Sequence, residues 1–148
     1  MHIEWIWSFF ECLYLTGNYS DVLREYPRYI DFGDEEYRFY LLALAAYSTV
    51  KTQQSIDLQL YLEPMSQLLD YPKDSVAVLF YLELSYLADD WDRMKKCADC
   101  HRNKLQYFES PCIELINILY PNFKHSKEIE QTIVNNFTPK SLMSHFHW

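Results

Sequence analysis

The sequence predicts an all-α fold, an α-solenoid of about three to four antiparallel helix pairs, on three observations. Apolar residues recur at i, i+3, i+4 and i+7, first as Ile6, Phe9, Phe10 and Leu13 and later as Tyr40, Ala43, Leu44 and Tyr47. That spacing gathers them on one side of a 3.6-residue helix. The chain holds only 2 glycines and 6 prolines in 148 residues, few for an all-β protein with its many tight turns. Finally, Tyr19, Val22 and Tyr26 return as Trp91, Met94 and Ala98 at a constant offset of 72 (91 − 19, 94 − 22, 98 − 26). This is twice 36, close to the length of a two-helix repeat.

The elements follow in order. The first helix carries Ile6, Phe9, Phe10 and Leu13 toward the core and ends at Gly17, which can adopt the positive φ that closes a helix. Asn18-Tyr19-Ser20 offers turn and N-cap chemistry, and Val22, Tyr26 and Tyr29 on the second helix face back toward the first. Asp31-Phe32-Gly33-Asp34 forms a turn, and Asp34, Glu35 and Glu36 supply the acidic first turn of a third helix over 34–50. Its alanines suit close helix approach. Lys51 to Gln54 leads into a return helix with Ile56, Leu58, Leu60 and Leu62, and Pro64 predicts a break or kink between Tyr61 and Met65. Proline removes a backbone donor there and clashes with the preceding turn. Tyr71-Pro72 ends this element. A fifth helix over 75–88 puts Val78, Tyr81, Leu82 and Ser85 inward, and Asp89-Asp90-Trp91 turns the chain into a sixth. A last pair, Pro111 to Leu119 and Ser126 to Asn136, caps the stack. The reading therefore has one helical domain over 1–137 and a tail over 138–148.

Composition narrows the function classes. A formal charge of −8 and the absence of a basic cluster disfavour nucleic acid, whose binding draws its affinity from grouped Lys and Arg. No apolar run approaches a membrane span, and the opening residues, with Glu4 and Glu11 and no positive region, do not read as a signal peptide. Four cysteines without an export signal fit reduced thiols, so the expected location is cytoplasmic.

Catalytic patterns are weak. There is no glycine-rich phosphate loop, no histidine beside a nucleophile and no acid pair distinguishable from helix surface, so the chain reads as a non-enzyme without a cofactor. Cys97-Ala98-Asp99-Cys100-His101 is a literal C-x-x-C-H, the attachment pattern of a c-type haem, and with Cys112 it offers a conceivable zinc set. The plainer reading makes Cys97 and Cys100 small apolar residues on a helix, and no metal is expected.

The run Gly17-x-Tyr19-x-x-Val22-x-x-x-Tyr26-x-x-Tyr29 resembles the turn and second helix of a tetratricopeptide repeat, and the resemblance extends over 6–108. It implies a right-handed solenoid in which the first helix of each pair lines a concave groove. Projected onto this chain, the groove holds Glu4, Trp7, Glu11 and Tyr14, then Arg38, Leu41, Ala45 and Ser48, then Val76, Leu79, Glu83 and Tyr86. Members that clamp a carboxylate tail carry lysine and asparagine there. Trp7 and Glu11 stand in those places instead, and imply a protein partner presenting a helical or extended segment with apolar and basic residues. The first three helices are also similar to the opening of the coatomer epsilon family, which implies a scaffold subunit of a vesicle coat. The general expectation is a non-catalytic interaction scaffold, with a purely structural subunit of a large assembly as the alternative.

Overall fold

A glycine at positive φ sets the first helix pair. In the computed structural model, which describes residues 3–52, 57–116 and 126–137, α1 (Ile3–Leu15) closes on Gly17 at φ 79° and α2 (Tyr19–Tyr29) follows at once. The Gly17 N–H donates to the Tyr14 carbonyl and the Asn18 N–H to the Leu13 carbonyl, which satisfies acceptors that a helix end would otherwise orphan. The Asn18 side chain caps nothing and donates instead to Thr16 Oγ1 at 2.7 Å.

The same closure returns between α5 (Val76–Leu87) and α6 (Trp91–Cys100). Asp89, at φ 55°, takes the place of Gly17; its N–H donates to the Tyr86 carbonyl and that of Asp90 to the Ser85 carbonyl. An edge-to-face aromatic pair spans each turn, Tyr14 on Tyr19 at 5.1 Å and Tyr86 on Trp91 at 5.9 Å. Both pairs and both turn residues differ by 72 (86 − 14, 91 − 19, 89 − 17), so the internal repetition extends to hydrogen bonds and ring contacts.

Between these pairs lies α3 (Glu35–Thr52), entered through a 3₁₀ turn at Ile30–Phe32. Asp34 caps it, its Oδ1 accepting the Tyr37 N–H at 2.9 Å. Gly33 has no room for a side chain, because a Cβ would fall 2.3 Å from both Ile3 and the Tyr37 ring. Every residue from Phe39 to Thr49 is buried, on all sides of the helix. Its buried serine and threonine hydroxyls are satisfied within the helix: Ser48 donates to the Leu44 carbonyl at 2.8 Å and Thr49 to the Ala45 carbonyl at 3.0 Å, with the Tyr61 hydroxyl on the same Thr49 oxygen at 2.9 Å.

Each helix packs on the next: α1 on α2, α2 on α3, α3 on α4 (Gln59–Leu68), α4 on α5 and α5 on α6, with α3 also against α5. The short α7 (Arg102–Leu105) and α8 (Pro111–Ile116) lie on α5 and α6. The last described helix, α9 (Lys127–Asn136), packs on α3. Among the described residues all regular structure is helical, and no helix is long and apolar enough to cross a membrane.

Three expectations are corrected. The buried arc of α1 is Ile6, Trp7, Phe10 and Tyr14, while Phe9 is 43% exposed and Leu13 half-buried, because α2 covers only one flank and Phe137 covers Tyr14. Helix α4 runs through Pro64 without a break. The carbonyl deprived of a donor belongs to Leu60, an exposed residue beside solvent, which lowers the cost. The final pair does not simply cap the stack: α8 continues along α5 and α6, whereas α9 returns to the middle of the fold. The predicted turn at 53–54, the helix end at 117–119 and the tail at 138–148 lie outside the described residues.

The two turn residues give opposite expectations. Gly17→Ala should destabilise the chain by about 1 kcal/mol and Asp89→Gly stabilise it by about 0.5–1 kcal/mol, since only glycine takes this backbone region freely. Urea unfolding followed by circular dichroism checks both.

Candidate functional site

Helices α1, α3 and α5 converge on a phenylalanine that periodicity did not single out. Phe137, just beyond α9, stacks on Tyr47 of α3 with ring centres 3.8 Å apart and planes 10° from parallel. It meets Tyr14 of α1 and Phe80 of α5 edge-on, each at 5.4 Å. Three helices distant in sequence thus build one aromatic seat around a single ring, a geometry that adds specificity to plain apolar burial. At the other end of α9 the Ser126 N–H donates to the Tyr86 hydroxyl at 2.9 Å, and Ser126 Oγ caps the helix by accepting the Ile129 N–H. Ile133 and Val134 are buried between these two fixings.

The groove positions read from the sequence fall into distinct environments. Tyr14 is part of this seat, and Tyr86 holds the start of α9 at Ser126. Trp7 and Leu41 are fully buried, Arg38 and Leu79 are half-buried and Glu4 is exposed. Ala45 and Ser48 are buried with the rest of α3, and Val76 is half-buried. Arg38 pairs with Glu35 at 3.7 Å on its own helix. Glu11 is half-buried; its Oε2, like the Tyr14 hydroxyl, is shielded from solvent with no hydrogen-bond partner among the described residues. Burial lifts the Tyr14 hydroxyl well above its ordinary range, so it stays protonated and able to donate.

Glu83 is the buried acid of the site. Burial pushes its carboxyl from 4.5 up to about 7, and it lies close enough to Tyr47 and Cys112 to raise both groups, which burial already raises.

The cysteine set is not assembled. Cys97 is buried, its Sγ 3.8 Å from the Val78 carbonyl, and its thiol is pushed up to about 12 by burial and by Cys100. Cys112 is buried in α8, while Cys100 is exposed. His101 is held below its ordinary value by burial and Lys104. Among the described residues no three His, Cys, Asp or Glu side chains stand together so as to hold a metal ion. Thiols kept protonated are weak nucleophiles and ligands.

Sequence patterning also missed a polar clasp across α4, α5 and α6. Arg93 donates to the Tyr81 hydroxyl at 2.6 Å, to Gln59 Oε1 at 2.9 Å, to Asp90 Oδ2 at 3.2 Å and to Glu63. Gln59 Nε2 closes the ring on Asp90 Oδ2 at 2.6 Å, and Asp90 Oδ1 caps α6 by accepting the Arg93 N–H. The only local signal was an aspartate three residues before an arginine at a helix start. Comparison with models of protein families, with curated proteins and with solved structures finds no match.

Two measurements test these assignments. The folded chain holds the Glu83 proton between pH 4.5 and about 7 where the unfolded chain releases it, so this residue's contribution falls as pH rises through that window and levels off above it. Glu83→Gln should therefore gain about 3 kcal/mol over the native chain at pH 8 relative to pH 4, read from thermal or urea unfolding. Arg93→Met, which keeps the aliphatic stem and removes the donors, should cost about 2 kcal/mol in urea unfolding at pH 7.

Proposed function

We propose that this chain is a non-catalytic interaction scaffold that binds a segment of a partner protein along the face of α1, α3 and α5, its antiparallel helix pairs stacked as a tetratricopeptide-like α-solenoid. One observation carries the reading: this face already holds a helix, α9, whose terminal Phe137 enters a seat made by Tyr14, Tyr47 and Phe80. Helix-in-groove recognition needs such an aromatic anchor site beside a row of apolar positions. The stacking is supported by the turn closures repeating at an offset of 72 and by the packing of each helix on its successor. Glu4 and Glu11 on α1, within a chain of net charge −8, favour a segment bearing lysine or arginine beside its apolar residues. Cytosolic membership of a vesicle coat, in the manner of coatomer epsilon, is the specific version suggested by the likeness of the first three helices.

A second reading, a structural subunit fixed within a larger assembly, is favoured by Trp5, Phe9 and Phe32, which are 74%, 43% and 57% exposed. Phe9 and Phe32 flank Tyr29 at 6.2 and 5.4 Å, so part of this aromatic surface is continuous. Exposed clusters of that kind mark contact surfaces.

Panning a displayed library of helical peptides against the full chain separates the two. The groove reading expects enrichment of apolar and basic helices whose binding weakens at least 10-fold with Glu4→Lys and Glu11→Lys combined. Absence of enrichment, or binding indifferent to the two substitutions and abolished by Trp5→Ser with Phe9→Ser, transfers the interaction to the exposed aromatic surface.

A further inference from the structure

We infer that α9 is a resident, displaceable occupant of the aromatic seat, and that the partner competing with it is an amphipathic basic helix with the spacing of α9 itself. The inference rests on the groove reading above and names the recognised pattern. Ile129, Ile133, Val134 and Phe137 stand at i, i+4, i+5 and i+8 and form the inward side of α9; the last three are buried and Ile129 is half-buried. Lys127, Glu128, Gln131, Asn135 and Asn136 are exposed. This places three aliphatic residues over α3 and an aromatic ring in the seat, a spacing that a helix of another protein can copy.

The fit of α9 is incomplete at two places. Along one flank a solvent-open cleft of about 710 Å³ lies between Lys127, Glu130 and Val134 of α9 and Thr49, Leu58 and Leu87, so α9 leaves this side of the face uncovered. At the seat the Tyr14 hydroxyl, and three residues before it on α1 Glu11 Oε2, are shielded from solvent and find no hydrogen-bond partner among the described residues. A buried donor and a buried acceptor left unmet are costly. An incoming helix with larger side chains toward the cleft, an acceptor for Tyr14 and a basic residue for Glu11 meets both deficits. It therefore gains binding energy that α9 does not collect, and displacement becomes favourable.

The test uses full-length chain carrying Ile133→Ser and Phe137→Ser, which empties the seat without altering α1, α3 or α5, and a fluorescein-labelled peptide of residues 126–137 as the probe. Fluorescence anisotropy should show the peptide binding the variant at least 10-fold more tightly than the native chain, and a peptide lacking the terminal Phe137 losing at least 10-fold. Equal binding to both chains, or no binding to a variant whose circular dichroism remains helical, overturns the inference. If the variant unfolds, hydrogen exchange on the native chain decides: α9 amides exchanging at least 10-fold faster than those of Phe39 to Thr49 support a separable helix, and equal protection overturns it. Failure here alongside library-selected helices removes only the resident-helix inference, whereas failure of the library removes the groove reading beneath it.

Discussion

Complete burial of α3 is the constraint on which the other helices depend. An eighteen-residue helix whose stretch from Phe39 to Thr49 is inside on every side needs neighbours all round it. Those neighbours are α2, α4, α5 and α9. Small residues make this crowding possible: Ala43, Ala45, Ala46 and Ser48 let helices approach, while Tyr37, Phe39, Tyr40 and Tyr47 project between them. Several polar groups inside bond within reach, as Ser48 and Thr49 do with carbonyls one turn back and Tyr37 does with the Tyr29 carbonyl at 2.8 Å.

A central helix with four neighbours also explains the placement of the aromatic seat. The sides of α3 toward α2 and α4 are covered by adjacent segments of chain, and α5 takes a third. The remaining side, near Tyr47, has no sequential neighbour to cover it, and α9 returns from beyond α8 to do so. Its ring contacts with Tyr14 and Phe80 join α1, α3 and α5 through one side chain. In energetic terms this is apolar burial, about 1.5–3 kcal/mol for a phenylalanine, sharpened by ring geometry. Elsewhere the Arg93 clasp joins α4, α5 and α6 by polar contacts, so two unlike kinds of interaction hold different parts of the helix array in register.

Much of the helical framework was legible because its causes are local. Gly17 marked a turn since few other residues tolerate its backbone, and the offset of 72 led to Trp91, Met94 and Ala98 before any contact was known. Pro64 does not break α4, because its cost depends on whether the Leu60 carbonyl meets solvent, a property of the surroundings and not of the residue. The α1 face was misread for a related reason: its period was right, but which flank is covered is decided by α2 and Phe137. Of the candidate groove residues, Tyr14 and Tyr86 do meet the returning α9, while Trp7, Leu41 and Glu83 are interior, since projection onto a helix face cannot tell a lining residue from a packed one.

By itself, then, the sequence determined most helix positions, the positive-φ turn at Gly17 and the return of its pattern 72 residues on, all set by backbone sterics and apolar period within a few residues of chain. Tertiary structure alone decided that α9 crosses back to Tyr47, that Arg93 gathers Gln59, Glu63, Tyr81 and Asp90, and that Cys97, Cys100, His101 and Cys112 form no metal-holding group among the described residues. These outcomes turn on which surfaces remain uncovered after the local elements form, and that depends on long-range burial with no period to announce it.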